Sequence, residues 1–165
     1  GKRYKTGWGD IIPGTVECWM NKSHVYRGRV KTGRGAGASE MSAPGDLAGF
    51  QRLTGLSVIP GTLNIDLTEP FDLTLLNYVA FAELGWEFAP ATQGIKYDGE
   101  IGMYYGRALI ADKYPACIIF FTWVTDPNTD AELISPHHLR SALGLRDGDM
   151  IEFTLLPNSP QWTRT

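Results

Sequence analysis

The chain has 165 residues, 43% hydrophobic and 20% charged, a composition that fits one folded domain rather than a disordered segment. Its 15 basic and 18 acidic residues leave a net charge of −3, which gives no electrostatic reason to bind nucleic acid or an anionic membrane. No apolar run approaches the roughly 20 residues of a membrane span, and no apolar stretch follows the basic start Gly1-Lys2-Arg3-Tyr4-Lys5, so a signal peptide is not read either.

A cytoplasmic, single-domain protein over residues 1–165 is therefore expected, with 1–22 as an N-terminal extension and 157–165 as a loose tail. Nineteen glycines and ten prolines, spread along the chain, favour many short elements joined by tight turns, hence a mainly β domain. Cys18 and Cys117 stand among apolar neighbours without CxxC or metal-ligand spacing, which fits reduced buried thiols.

Residues 1–22 have no clean periodicity, and Trp8 and Trp19 are expected to pack them onto the body, a binding platform being the alternative. The first clear strand runs from His24 to Thr32. It leads into Gly33-Arg34-Gly35-Ala36-Gly37-Ala38-Ser39, whose alternate glycines let backbone approach a ligand and converge N–H groups on an anion. A plain flexible turn is the other reading. The loop is neither a Walker loop nor a dinucleotide fingerprint, because no Gly-Lys-Ser/Thr follows and no βαβ context surrounds it. Leu47, Phe50 and Leu53 recur at helical spacing and predict a helix over Asp46–Gly55.

Pro60-Gly61 then turns the chain into Thr62-Leu63-Asn64-Ile65-Asp66-Leu67, where apolar and polar residues alternate. On a strand, Leu63, Ile65 and Leu67 share one face and Thr62, Asn64 and Asp66 the other. A hydroxyl, a carboxamide and a carboxylate projecting from one rigid strand are hard oxygen donors of the kind Mg²⁺ takes alongside water and phosphates. A wet outer strand face is the bland alternative.

Downstream, Asp72–Leu76 reads as a short strand or helical turn, Tyr78–Glu83 as helix or strand, and Gly85–Gly99 as an irregular connection. Tyr104–Ala111 is a predicted strand, Lys113-Tyr114-Pro115 a turn, and Ala116–Val124 a buried strand by its continuous apolar run. A turn cluster over 125–130 precedes a short strand, Ala131–Ile134. Ser135 as cap and Pro136 at the first position predict a helix over Pro136–Leu143, ended by Gly144. Arg146-Asp147-Gly148-Asp149 is a tight turn and Met150–Leu155 the last strand. The chain contains no internal repeat and no linker.

Two segments together resemble the archaeal CTP-dependent riboflavin kinase family. One spans Gly28–Asp72 and carries the glycine loop and Gly61-Thr62-Leu63-Asn64. The other is Ala131-Glu132-Leu133-Ile134-Ser135-Pro136-His137-His138-Leu139-Arg140 with Leu145-Arg146-Asp147-Gly148-Asp149.

The resemblance implies a small six-stranded cradle-loop barrel with short helices between strands. It implies Mg²⁺ on Thr62 and Asn64, and a nucleoside triphosphate, CTP, held by Arg34, Gly35, Ala36, Gly37, Ala38 and Ser39 and by His137, His138, Leu139 and Arg140. It implies riboflavin on Glu132 with Thr125 beside it, where Thr122 is the other substitute for a flavin-contacting threonine that falls on Val124.

Ser39 stands where the family's loop usually ends in an aromatic residue, and residues 1–22, 85–99 and the tail have no counterpart. The expected reaction is Mg-dependent phosphoryl transfer to riboflavin, giving FMN, by a monomer or weak homodimer. Glu132 and Arg140 are the catalytic candidates. Arg140 either offsets phosphate charge or caps its own helix, Glu132 orients the acceptor or accepts its proton, and Asp66 is a further candidate base. The histidines are read as surface or capping groups in preference to catalytic ones. The alternatives are a kinase of the same fold with another acceptor, or a non-catalytic nucleotide- or flavin-binding module. A DNA-binding relative is disfavoured by the acidic balance.

Overall fold

The computed structural model describes residues 4–5, 10–11, 24–33, 44–124 and 128–157. Its strands in chain order are β1 (Tyr4–Lys5), β2 (Asp10–Ile11), β3 (Val25–Lys31), β4 (Leu63–Leu67), β5 (Asn77–Ala80), β6 (Gly102–Ile110), β7 (Tyr114–Phe121), β8 (Asp130–Ile134) and β9 (Met150–Leu155). Among the described residues two α-helices, α1 (Pro44–Thr54) and α2 (Leu139–Leu143), and three short 3₁₀ turns join them.

β1 and β2 pair only with each other, whereas β6, β7, β8, β4, β3 and β9 hydrogen-bond antiparallel in that order. β9 returns to β6 through Ala108–Leu155, Leu109–Thr154 and Ile110–Phe153, which closes a six-stranded barrel. β5 pairs with the other half of β6, through Gly102–Tyr105.

Alternation along each strand divides the apolar residues between two cores. Val30, Leu63, Ile65, Leu67, Ile118 and Leu133 are among those filling the barrel. A second cluster covers the outside of β5, β6 and β7: Phe50 and Leu53 of α1, with Trp86, Phe88, Ile95 and Tyr97, pack on Val79, Met103, Tyr105, Cys117 and Ile119. β7 is thus buried on both faces, the physical reason for its unbroken apolar run. On the next strand, β8, the outer layer still takes in Ile134, but Glu132 and then Asn64 of β4 lie beyond it, and the sheet face turns polar there.

Most predicted elements are present, and the differences have local causes. The hairpin between β6 and β7 turns at Ala111-Asp112, with φ of 52° and 56°, so Tyr114 and Pro115 belong to β7 rather than to a turn. Asp tolerates that left-handed geometry but Ala does not favour it, and no Gly or Asn marks the bend, which hid the turn from the sequence. Helix α2 starts at Leu139, not Pro136. The Ser135 hydroxyl donates to the Pro115 carbonyl (2.7 Å) and accepts the His137 N–H (3.1 Å), so it ties β8 to β7 instead of capping a helix. His138 is the cap.

Helix α1 begins two residues earlier than read and stops before Gly55. The 72–76 segment is a 3₁₀ turn capped by Asp72. The ambiguous 78–83 stretch divides into β5 and a second such turn. The 85–99 segment holds the third turn, Pro90–Gln93, and otherwise runs irregularly over the outer core. Cys117 is buried and free, and burial pushes its thiol well above the ordinary value, as an inert core cysteine requires. Among the described residues no helix is long and apolar enough to cross a membrane.

Because both residues of the 111–112 turn lie at positive φ, replacing Ala111-Asp112 by Asn-Gly is expected to raise stability by about 1 kcal/mol. Urea denaturation checks this, and an unchanged or lower midpoint contradicts it.

Candidate functional site

Gly61, at φ 96°, turns the chain just before Thr62, which leads directly into β4. Only glycine adopts that angle at no steric cost. Along β4 the buried residues are Leu63, Ile65 and Leu67, Asn64 is half-buried and Asp66 exposed. Thr62 and Asn64 therefore share the outer face.

Register decides their neighbours. Asn64 lies opposite Glu132 of β8 on one side and Lys31 of β3 on the other. Glu132 in turn lies opposite Ile119 of β7, the edge of the apolar outer layer. The Thr62 hydroxyl donates to Glu132 Oε1 at 2.5 Å. A hydroxyl, a carboxamide and a carboxylate from two strands thus form one group at the border between the aromatic layer and the polar face.

The start of the glycine loop touches the same group. A Cβ on Gly33 would lie 2.7 Å from Asn64 Oδ1 and closer still to the rest of the carboxamide, so any larger residue here would push the Asn64 side chain aside. Arg34 to Ser39 lie outside the described residues, as do Thr125, Trp8, Trp19, Cys18 and the chain beyond Pro157.

Arg140 does not cap its own helix. Its Nη2 donates to Asp147 Oδ1 (2.7 Å) and to the Lys31 carbonyl (3.3 Å), next to the backbone that pairs with Asn64. Asp147 also accepts from the Thr32 hydroxyl. These bonds, Thr32 first and Arg140 second, hold its carboxyl below the ordinary carboxylate range.

The histidines have structural duties. His138 Nδ1 faces the Ser141 backbone N–H (3.4 Å) and hydroxyl (2.8 Å) at the start of α2, while the His137 ring packs edge-on against Tyr114. Leu139 sends its side chain into the barrel core. Asp66 is exposed and pairs across the sheet with Arg29 and Asp130, away from the Thr62–Glu132 bond. Thr122 donates to the Glu100 carbonyl at 2.8 Å.

The sequence had not pointed to Thr32, Asp147 or the Lys31–Asp130 ion pair (2.8 Å) as neighbours of this group. The Asp-Gly turn was legible, but what its carboxylate grips depends on long-range pairing.

Among the described residues no cluster of three or more His, Cys, Asp or Glu is placed to hold a metal. Thr62 and Asn64 are oxygen donors instead. The Thr62 proton goes to Glu132, which leaves the hydroxyl lone pairs for a cation, and the Asn64 carboxamide has no hydrogen bond among the described residues. Neutral oxygens backed by a carboxylate fit a hard divalent ion that keeps water and phosphate ligands.

The family model CTP-dep_RFKase, described as "Domain of unknown function DUF120", matches residues 30–155. The chain belongs to the CTP-dependent riboflavin kinase family. It is 36% identical over 125 residues to a riboflavin kinase of Pyrobaculum calidifontis, covering 76% of this chain and 57% of that protein. A riboflavin kinase of Methanocella arvoryzae is also 36% identical, over 133 residues, covering 79% and 56%. One of Sulfurisphaera tokodaii is 29% identical over 126 residues, with 76% of this chain and 90% of that protein covered. The chain therefore spans little more than half the length of the first two relatives. The matched range holds every family motif described above, from the glycine loop to the 146–149 turn.

Because the Asp147 carboxyl is depressed in the fold, its ionised form contributes stability that is present at neutral pH and lost as pH falls through the lowered folded value. Because the carboxylate is exposed and solvent-screened, the effect is small: melting temperatures of the wild type and Asp147→Asn are expected to show a slight gap at pH 7 that closes as pH falls below about 4. A gap that stays constant across that range contradicts the assignment.

Proposed function

We propose that this domain transfers the terminal phosphoryl group of CTP to a hydroxyl of riboflavin, giving FMN and CDP. The observation that carries the reading is the Thr62–Glu132 hydrogen bond, formed beside Asn64 with Gly33 resting on the carboxamide. Family membership supports the choice of substrates, and the relatives' own name, riboflavin kinase, supports the acceptor.

In this reading Thr62 and Asn64 hold Mg²⁺. Bound there, the ion supplies charge neutralisation to the triphosphate oxygens. Glu132 keeps the Thr62 hydroxyl aimed by accepting its proton and, standing next to the apolar layer, orients the flavin chain. The acceptor oxygen forms a bond to the terminal phosphorus as the bond to the CDP oxygen breaks, and the acceptor proton leaves to the Glu132 carboxylate or to water. Arg34 to Ser39 and the 137–140 segment cradle the nucleotide, and Arg140 offsets charge developing on the leaving phosphate. His137, His138 and Leu139 contribute to that cradle through backbone, since their side chains are engaged elsewhere. Thr125 joins Glu132 at the flavin.

Such transfers depend on positioning and electrostatics more than on covalent chemistry by the protein. Donors on paired strands suit that need, because a strand-borne side chain is held more rigidly than one on a loop.

The test is FMN formation from riboflavin with CTP or ATP, with and without Mg²⁺, in the wild type, Thr62→Ala and Asn64→Ala. CTP and Mg²⁺ together are expected to give product, and each variant to lose about a hundredfold or more in rate with its melting point retained. Product from ATP alone overturns the nucleotide assignment. Wild-type rates in both variants overturn the site. Nucleotide or flavin binding without product marks a non-catalytic binding module instead.

A further inference from the structure

We infer that Asp147 is a positioning residue for nucleotide binding: one carboxylate sets both the backbone entering the glycine loop and the guanidinium of Arg140. The inference rests on the nucleotide site proposed above and names the side chain that assembles it.

Three separate pieces of chain meet at Asp147. From the end of β3, the Thr32 hydroxyl donates to Oδ2. From α2, Arg140 Nη2 donates to Oδ1 at 2.7 Å and reaches on to the Lys31 carbonyl at 3.3 Å. The third piece is the turn that carries Asp147 itself. Thr32 leads directly to Gly33, whose backbone rests against the Asn64 carboxamide. A continuous line of contact therefore runs from Asp147 through Thr32 and Gly33 to Asn64, and a second runs to Arg140.

Closing its own turn is not what Asp147 does. That turn is closed by Asp149, whose Oδ2 accepts the Arg146 N–H at 2.8 Å and whose N–H donates to the Arg146 carbonyl at 3.0 Å. The turn is then fastened to β3 by backbone alone, Gly148 N–H to the Val30 carbonyl (2.7 Å) and Val30 N–H to the Asp149 carbonyl (2.8 Å). Arg29 adds a bond to the Gly148 carbonyl at 3.1 Å. The platform is rigid without Asp147, and the carboxylate projects from it half-exposed, at 51%. Exposed ion pairs contribute little to folding stability. What this one fixes is geometry: where the loop begins and which way Arg140 points.

The test compares the wild type with Asp147→Asn, Asp147→Glu and Thr32→Val. CTP affinity is read by titration without acceptor, and KM is read for CTP and for riboflavin separately. Asp147→Asn is expected to weaken CTP binding and raise the CTP KM by about tenfold, with the riboflavin KM within about twofold of the wild type. Asp147→Glu, which keeps the charge, recovers part of the loss. Thr32→Val leaves the Arg140 bond in place and gives a smaller loss, and the double variant Thr32→Val/Asp147→Asn loses less than the product of the two single effects.

Unchanged CTP affinity in Asp147→Asn overturns the inference, and so does an equal rise in both KM values. If the wild type binds CTP but makes no FMN, the acceptor assignment fails while the CTP titration still decides the role of Asp147. If the wild type binds no nucleotide, the inference falls with the site.

Discussion

The register of four neighbouring strands is the constraint on which the rest depends. Ile119, Glu132, Asn64 and Lys31 stand opposite one another across β7, β8, β4 and β3, all on the outer face. A slip of one residue in β4 would send Asn64 into the barrel and a leucine or isoleucine out. Burial of Leu63, Ile65 and Leu67 inside the closed barrel excludes that slip. The hydrophobic core thus places the polar group: the same alternation that fills the barrel puts the carboxamide beside the carboxylate.

The outer layer gives this row its asymmetry. On β7 the outward residues are roofed by α1 and by the 85–99 segment, with Phe121, Trp123 and Phe88 forming a continuous aromatic stack. One strand further the roof ends, and Glu132 stands at its edge. On the far side of Asn64 the face is charged, with Lys31 paired to Asp130. Such a divided surface suits the planar apolar acceptor and the polyanionic donor proposed above. Arg140, proposed to contact the nucleotide, is tied to β3 through the Lys31 carbonyl and to the 146–149 turn through Asp147, a turn itself fastened to β3 by backbone bonds.

Much of this was legible in the sequence where a local rule applied. Period-two alternation after Pro60-Gly61 sufficed to put Thr62 and Asn64 on one face, and helical spacing located α1. The apolar run of 116–124 marked a doubly buried strand, although the strand ends at Phe121 and 122–124 turn away, Val124 N–H donating to the Phe121 carbonyl. Local rules failed where distant partners take over. Ser135 looks like a helix cap until the Pro115 carbonyl, brought alongside by β7, claims its hydroxyl. Ala111-Asp112 turns a hairpin with no glycine or asparagine at the bend, because the two strands it joins are paired along nearly all of their length. Trp86, Phe88, Ile95 and Tyr97 have no period of their own, since each packs on a sheet formed elsewhere in the chain. Asp147 sits in a turn that any reading finds, but its partners are Thr32 and Arg140, and only the barrel brings those together.

The central claim is that Thr62 and Asn64 grip a divalent ion at the point where Gly33 meets β4. Mn²⁺, which takes the same oxygen ligands as Mg²⁺, reports its own position by broadening nearby amide signals in an NMR spectrum of the CTP-loaded protein. The account predicts broadening centred on Gly33, Thr62, Asn64 and Glu132, lost when Asn64 is replaced by alanine. Broadening centred on another face of the barrel, or unchanged by that replacement, would contradict it.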